Sequence, residues 1–208
     1  ATLDAMLEAM RESMPAFRKY LRHKAKLLGY ENGLPWYEIF APMGKAGGKV
    51  FTAEEAHKYL VEHFESFAPD LAEMVDRAFK EEWIDFYPRA GKVGGAFCSN
   101  LPFLCQSRIL TNFSGSFGSV VTLAHELGHA MHSYFSSEAQ DYVNHDSRIM
   151  VAEVASTVNE VLLTKYLLKT ETDPKKRAYI LNHFLEGFRG TVLRQTLFAE
   201  FERESHAM

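Results

Sequence analysis

The segment His125-Glu126-Leu127-Gly128-His129 decides the assignment of this chain, because it has the pattern H-E-x-x-H and lies within a helical run. In an α-helix, residues i and i+4 project from the same face, so the two imidazoles can bind one metal ion together. The carboxylate of Glu126 is then placed beside a water molecule at that metal rather than in the ligand set. Neutral imidazole binds Zn²⁺, and a carboxylate is basic enough to take a proton from the polarised water.

A five-residue pattern also arises by chance, so its context matters. The flanking segments 120–124 and 130–135 contain no proline and are rich in apolar residues, which is typical of a buried helix. Ser116 or Ser119 is placed to cap the start of that helix. Two histidines and a glutamate on a buried helix are costly without a metal or other polar partners. The context therefore favours a zinc site, with one zinc ion per chain.

A catalytic zinc ion has three protein ligands and an open position for water, so a third ligand is needed. The longer pattern H-E-x-x-H-x-x-G-x-x-H is absent, because position 132 is His132 and position 135 is Phe135. The candidates in the following chain are histidines and carboxylates, namely His132, Glu138, Asp141, His145, Asp146, Glu153 and Glu160.

Two glutamates stand out among these candidates. Glu153 lies in the apolar helical run 149–158, where a buried carboxylate needs a partner such as a metal on a facing helix. Glu160 lies two turns further along the same face, and we interpret it as orienting a ligating histidine through the other ring nitrogen. An ordinary exposed glutamate is the alternative for Glu160. His132 is only three residues from His129, and three ligands from so short a straight helix would strain a tetrahedral site.

These residues carry a resemblance to a known family. The segments His125–Tyr134 (HELGHAMHSY) and Val151–Thr157 (VAEVAST) look like oligoendopeptidase F of the thimet-oligopeptidase group, zinc endopeptidases that act on short peptides. Four further segments are similar to that family in the same order, at residues 24–29, 82–87, 94–97 and 189–196. The resemblance covers essentially the whole chain.

The resemblance implies three zinc ligands: His125, His129 and Glu153. It implies Glu126 as the general base, and His132 matches a further histidine of the motif, which we place with Glu160 around the ligands. The implied reaction is hydrolysis of internal bonds in short peptides. Two alternatives stay open: a carboxypeptidase or aminopeptidase, and a module that binds zinc but hydrolyses peptides weakly or not at all.

Members of this family are longer than this chain, and their C-terminal part contributes a histidine and tyrosines that bind substrate and stabilise the oxyanion. No match to that part precedes Met208. We therefore expect residues 1–208 to be a single, truncated catalytic region around the zinc site, with weak hydrolytic activity.

The composition argues against several functions. There are 23 Lys and Arg against 27 Asp and Glu, with no basic stripe, so nucleic acid is a poor partner. No apolar run is long enough to span a membrane, and no signal peptide is evident. Cys98 and Cys105 lack C-x-x-C spacing and are expected to be free thiols in a cytoplasmic protein. The oligomeric state is not determined by the sequence.

The patterns and the resemblance predict a mainly α fold, a helical zincin-like catalytic domain with a small β-sheet beside the H-E-x-x-H helix. Helices are expected over about 3–28, broken near Pro15, with Lys24 on a solvated face. A capping box at Thr52 and a proline at position 69 begin two further helices. The glycines in 44–49 lack the spacing of a phosphate-binding loop and predict a flexible connection.

Two strands are expected before the zinc helix. Residues 96–98 and 108–113 have strand composition, and the glycine-rich segment 88–95 precedes them as a loop. A strand directly before the zinc helix could offer an edge to which an extended peptide adds by main-chain hydrogen bonds. The alternative is a strand buried within the small sheet.

Overall fold

A computed structural model of the protein describes residues 2–41, 43 and 50–208. The connection expected at 44–49 lies outside the described residues. The chain divides into two compact units, one built from Ala1–Gly47 with Thr172–Met208 and the other from Gly48–Glu171. The expectation of one domain over residues 1–208 stays a prediction.

The second unit contains the H-E-x-x-H segment. Its helices are α2 (Ala53–Glu65), α3 (Pro69–Lys80), α4 (Phe117–Ala139) and α5 (Ile149–Thr170). Its strands are β1 (Ile84–Asp85), β2 (Phe97–Leu101) and β3 (Gln106–Leu110). The capping box that opens α2 is confirmed, since Thr52 Oγ1 accepts from the Glu55 N–H at 3.1 Å and Glu55 Oε2 accepts from the Thr52 N–H at 3.0 Å.

The three strands form one sheet in the order β1-β3-β2. β1 is parallel to β3, with Ile84 opposite Ile109, and β2 is antiparallel to it, with Cys98 opposite the same residue. The idea that the strand before the zinc helix offers a free edge is therefore wrong. β3 lies inside the sheet, as the alternative held, paired with β2 along its whole length and with β1 at Ile109 and Leu110. Among the described strands, β2 is the edge nearer the site.

Helix α4 carries the H-E-x-x-H residues and is the centre of this unit. Ser116 is its N-cap, and the Ser116 hydroxyl accepts from the Ser119 N–H at 3.2 Å. Val120, Leu123 and Leu127 are fully buried along one side, so the burial expected of this helix is confirmed. α4 contacts β2, β3 and α5, which gives a mainly helical fold with a small sheet beside the motif helix, as predicted.

The first unit contains α1 (Thr2–Leu27), α6 (Pro174–Phe188), a π-helical turn at Arg189–Leu193 and α7 (Arg194–His206). The predicted break at Pro15 is wrong, because α1 continues through it. Proline removes one helical hydrogen bond at a cost of about 3 kcal/mol. The helix also packs against α7, where ion pairs join Arg11 to Glu200 at 3.2 Å and Arg203 to Asp4 at 2.7 Å.

The prediction of a solvated Lys24 is also wrong, since this residue is only 2% exposed. Its ammonium donates to the Ile39 carbonyl at 2.7 Å and to Glu186 Oε1 at 3.3 Å. A buried charge needs such partners, and they come from segments distant in sequence. Within the part of the chain that the structure describes, none of the helices has the length and apolar character that a membrane crossing needs.

Candidate active site

A cleft of about 310 Å³ lies beside the H-E-x-x-H face of α4. Its walls come from three segments, the edge strand β2, helix α4, and the loop that leads into α5. The polar lining residues include Cys98 and Asn100 from β2, His125, Glu126, His129 and His132 from α4, and His145, Asp146 and Glu153 from the loop and α5. Most of the residues that the sequence proposed for the site are thus brought to one cavity.

Three of these side chains converge on one point. Glu153 Oε2 lies 3.5 Å from His125 Nε2 and 3.8 Å from His129 Nε2. The three ligand atoms all lie within 4.8 Å of one another, which makes these residues a candidate metal site. The helical i,i+4 spacing places the two imidazoles, and the packing of α5 on α4 brings the carboxylate to them.

Glu160 contacts His125 at the ring nitrogen that does not face Glu153. Its Oε1 lies 2.5 Å from His125 Nδ1, and because a carboxylate accepts, this nitrogen carries the proton. In the neutral ring the lone pair of His125 is then on Nε2, the nitrogen that faces Glu153. Burial works against protonation of this ring, but the hydrogen bond to Glu160 and the charges of Glu126 and Glu153 outweigh it and raise the pKa of His125.

The second histidine has the opposite shift. Burial, followed by repulsion from His125, lowers the pKa of His129, and the charge of His132 adds to that lowering. Glu153 and a hydrogen bond to the Ala152 backbone oppose it. The lowered pKa of His129 favours the neutral imidazole, the form that binds metals.

Glu126 lies beside the cluster without being part of it. This residue is only 6% exposed. Burial raises the pKa of Glu126 to about 7; His125 opposes the rise, whereas the charges of Glu153 and Glu160 add to it. A carboxylate whose pKa lies near neutrality has the acidity expected of a group that both takes and returns a proton.

The surroundings of Glu153 differ from the expectation. Its side chain is 44% exposed, and the apolar residues next to it on α5 are exposed as well, Met150 at 81% and Val154 at 58%. The premise of a buried apolar run is therefore wrong. The buried residues of α5 include Ser156 and Asn159, and both lie against Gly128 of α4.

The donor set fits zinc. Two imidazole nitrogens and one carboxylate oxygen are the ligands of many catalytic zinc sites, which keep a further position open. The hydrogen bond from a ligating histidine to a carboxylate is the usual support of such a ligand, and Glu160 is placed to provide it. His125, Glu126, His129 and Glu153 share one partly buried cleft. Two carboxylates and two imidazoles held together in this way are costly in free energy without a cation.

The remaining candidates have other surroundings. His132, His145 and Asp146 line the same cleft but lie outside the three-residue cluster found among the described residues. Glu138 accepts a hydrogen bond from the Tyr134 hydroxyl at 2.6 Å and is exposed. Cys98 and Cys105 are free thiols, as predicted.

Sequence reasoning missed two contributions to the site. Ser156 Oγ donates to Glu153 Oε2 at 2.9 Å, and Cys98 and Asn100 bring the edge strand to the cleft. The spacing of three between Glu153 and Ser156 on a helix is a signal that could have identified the first contact. The pairing order that makes β2 an edge has no comparable local signal.

Comparison with known proteins matches residues 2–208 to the model of peptidase family M3. The chain is 38% identical over 203 residues to oligopeptidase PepF of Bacillus subtilis, covering 98% of this chain and 30% of that protein. It is 39% identical to group B oligopeptidase PepB of Streptococcus agalactiae, covering 98% and 33%. The chain therefore spans about a third of the length of these relatives.

Solved structures are similar as well. Oligoendopeptidase-F from Enterococcus faecium superposes with a TM-score of 0.59 at 29% identity, covering 99% of this chain and 28% of that one. A structure from Chlamydophila abortus superposes with a TM-score of 0.78 at 28% identity, covering 99% and 34%. The matched family model, the relatives named oligoendopeptidase F and the shared fold lead to one conclusion: this chain belongs to peptidase family M3.

Proposed function

We propose that this chain carries the zinc centre of an endopeptidase that hydrolyses internal bonds of short peptides. The observation that supports the proposal most strongly is the convergence of His125, His129 and Glu153, whose ligand atoms lie within 4.8 Å of one another beside Glu126. Family membership and relatives named as oligopeptidases support the substrate class.

Each residue of the centre has a chemical role in this proposal. His125, His129 and Glu153 would hold one zinc ion per chain. Bound zinc supplies a Lewis acid that lowers the pKa of water and polarises the scissile carbonyl. Glu126 accepts the proton of the attacking water and then passes it to the leaving amine. Ala124 and Leu127, beside it on α4, are fully buried, which holds its carboxylate at the wall of the cleft.

The edge strand offers a way to hold the substrate. β2 lies along the cleft, and Phe97, Cys98 and Asn100 line it. An extended peptide that adds to β2 by main-chain hydrogen bonds would be held by its backbone, which suits an enzyme acting on many short sequences. This assigns to β2 the binding role that the sequence suggested for the strand after it.

The test is Glu126→Gln, measured on a short quenched peptide with zinc supplied. Zinc binding should persist, because the residue is outside the cluster, while turnover should fall by about 10²–10⁴. Glu138→Gln is the matched control, since it makes the same change on the same helix away from the cleft and should leave turnover unchanged. Mass analysis of the products should show internal cleavage.

Turnover of Glu126→Gln equal to that of the parent chain, with zinc bound in both, would show that another group accepts the proton. Products shortened by one terminal residue at a time would favour a carboxypeptidase or aminopeptidase instead.

A further inference from the structure

Ser156 contacts the carboxylate oxygen on which the candidate metal site depends. Its hydroxyl donates to Glu153 Oε2 at 2.9 Å, and this is the same oxygen that lies nearest to both imidazoles. Ser156 is fully buried, whereas the glutamate side chain is 44% exposed. The buried Ser156 hydroxyl therefore donates to a carboxylate that is partly exposed and has room to adopt other rotamers.

The backbone of Ser156 is held against the motif helix. A Cβ atom added at Gly128 would lie 2.8 Å from Ser156 Cα, so α4 and α5 approach as closely as a glycine permits at this point. Gly128 lies between His125 and His129 in sequence. The donor on α5 is thus fixed relative to the two histidines on α4, rather than only relative to its own helix.

We propose that Ser156 is a positioning residue, whose hydroxyl holds Glu153 Oε2 toward His125 and His129 in readiness for the metal. This inference rests on the proposed zinc site. A carboxylate oxygen has more than one lone pair, so Oε2 can accept from Ser156 and still bind a cation. Holding the oxygen in advance lowers the cost of ordering a long, mobile side chain when the metal binds.

A local helix contact is the competing explanation. Ser156 Oγ also lies 3.0 Å from the Glu153 backbone carbonyl, a common back-bond of serine in helices. Thr157 donates to that same carbonyl at 2.5 Å, but the contacts of its hydroxyl are with backbone oxygens, those of Glu153 and Val154. Thr157 therefore provides a matched control, because its hydroxyl lies on the same helical turn but donates only to backbone carbonyl oxygens.

The experiment measures zinc affinity by competition with a chelator, at one pH, on the 208-residue chain. Ser156→Ala should weaken zinc binding about 10–100-fold, as losses of support around metal ligands usually do. Thr157→Ala should bind zinc as the parent does. Thermal melting of the metal-free chains shows that the variants are folded. Ser156→Gly, which also removes the hydroxyl and adds no thiolate that could itself bind zinc, replaces Ser156→Ala if the alanine variant does not fold.

A double-mutant comparison separates positioning from a general structural role. In a Glu153→Ala background the hydroxyl has no carboxylate to hold, so Ser156→Ala should no longer change the residual zinc affinity. An equal loss in both backgrounds would overturn the inference, and so would parent-like affinity of Ser156→Ala while Glu153→Ala is weakened. If Glu153→Ala itself binds zinc like the parent chain, the proposed zinc site fails, and this inference fails with it.

Discussion

The close approach of α4 and α5 at Gly128 makes a quantitative prediction for Gly128→Ala. The added Cβ would lie 2.8 Å from Ser156 Cα, 2.9 Å from the Ala155 carbonyl oxygen and 3.0 Å from Asn159 Nδ2. Ordinary contacts begin at 3.4 Å, so the two helices must separate by about 0.6 Å at this level. Two of the three atoms are backbone, which cannot turn away as a side chain can.

Separating α4 from α5 should change zinc affinity more than it changes the free energy of unfolding. Ligand distances in zinc sites stay within about 0.2 Å of their typical values, so displacing the helix that carries Glu153 by about 0.6 Å should weaken zinc binding, by about the 10–100-fold that lost support around a ligand costs. Overpacking costs about 1–3 kcal/mol, against about 1 kcal/mol gained because alanine is the better helix former. The free energy of unfolding should therefore fall slightly, by up to about 2 kcal/mol.

The assay pairs zinc competition with denaturant unfolding of the metal-free chain. Gly187→Ala in α6 is the matched control, because its added Cβ would meet nothing within 4 Å. It should leave zinc affinity unchanged and stabilise its helix by up to about 1 kcal/mol. A Gly128→Ala chain with parent-like zinc affinity and the same gain in stability as Gly187→Ala would refute the steric argument.

Two further predictions concern charged groups. Glu160→Ala should weaken zinc binding by about 10–100-fold without abolishing it. Because the variant also lowers the pKa of His125, its loss of zinc affinity on acidification should begin at a lower pH than in the parent chain. Zinc affinity equal to that of the parent at neutral pH would return Glu160 to an ordinary surface role. Hydrogen bonds from Arg89 and then Lys92 lower the pKa of Asp85 to about 2. A carboxylate whose pKa is lowered on folding stabilises the folded chain above its ordinary pKa of 3.8, and this stabilisation is lost as the pH falls toward about 2. Asp85→Asn should therefore lower the melting temperature at pH 7 but not at pH 2. An equal shift of the melting temperature at both pH values would contradict this.

The features that sequence could predict are those with a local pattern. The i,i+4 histidines, the capping box at Thr52 and the N-cap at Ser116 depend on neighbours within one or two turns. The fold class followed from such patterns together with the resemblance to a known family. The approach of Glu153 to the histidines was proposed from spacing and resemblance, and the structure brings the groups together.

The features that sequence could not predict depend on distant partners. Lys24 can be buried because its ammonium donates hydrogen bonds to the Ile39 carbonyl and to Glu186. Helix α1 continues through Pro15 while packing against α7. The central position of β3 requires pairing with β1, a two-residue strand whose sequence carries little signal. Which face of α5 is buried depends on how closely α4 approaches it, and the apolar sequence of α5 does not reveal that face.

The zinc content of the purified 208-residue chain is the most direct test of the central claim. Elemental analysis after removal of loosely bound metal should find about one zinc per chain in the parent, and loss of that zinc in His129→Ala and in Glu153→Ala, since each removes one of three ligands. Glu126→Gln should retain it. A parent chain without tightly bound zinc, or the same zinc content in His129→Ala and Glu153→Ala as in the parent, would contradict the account.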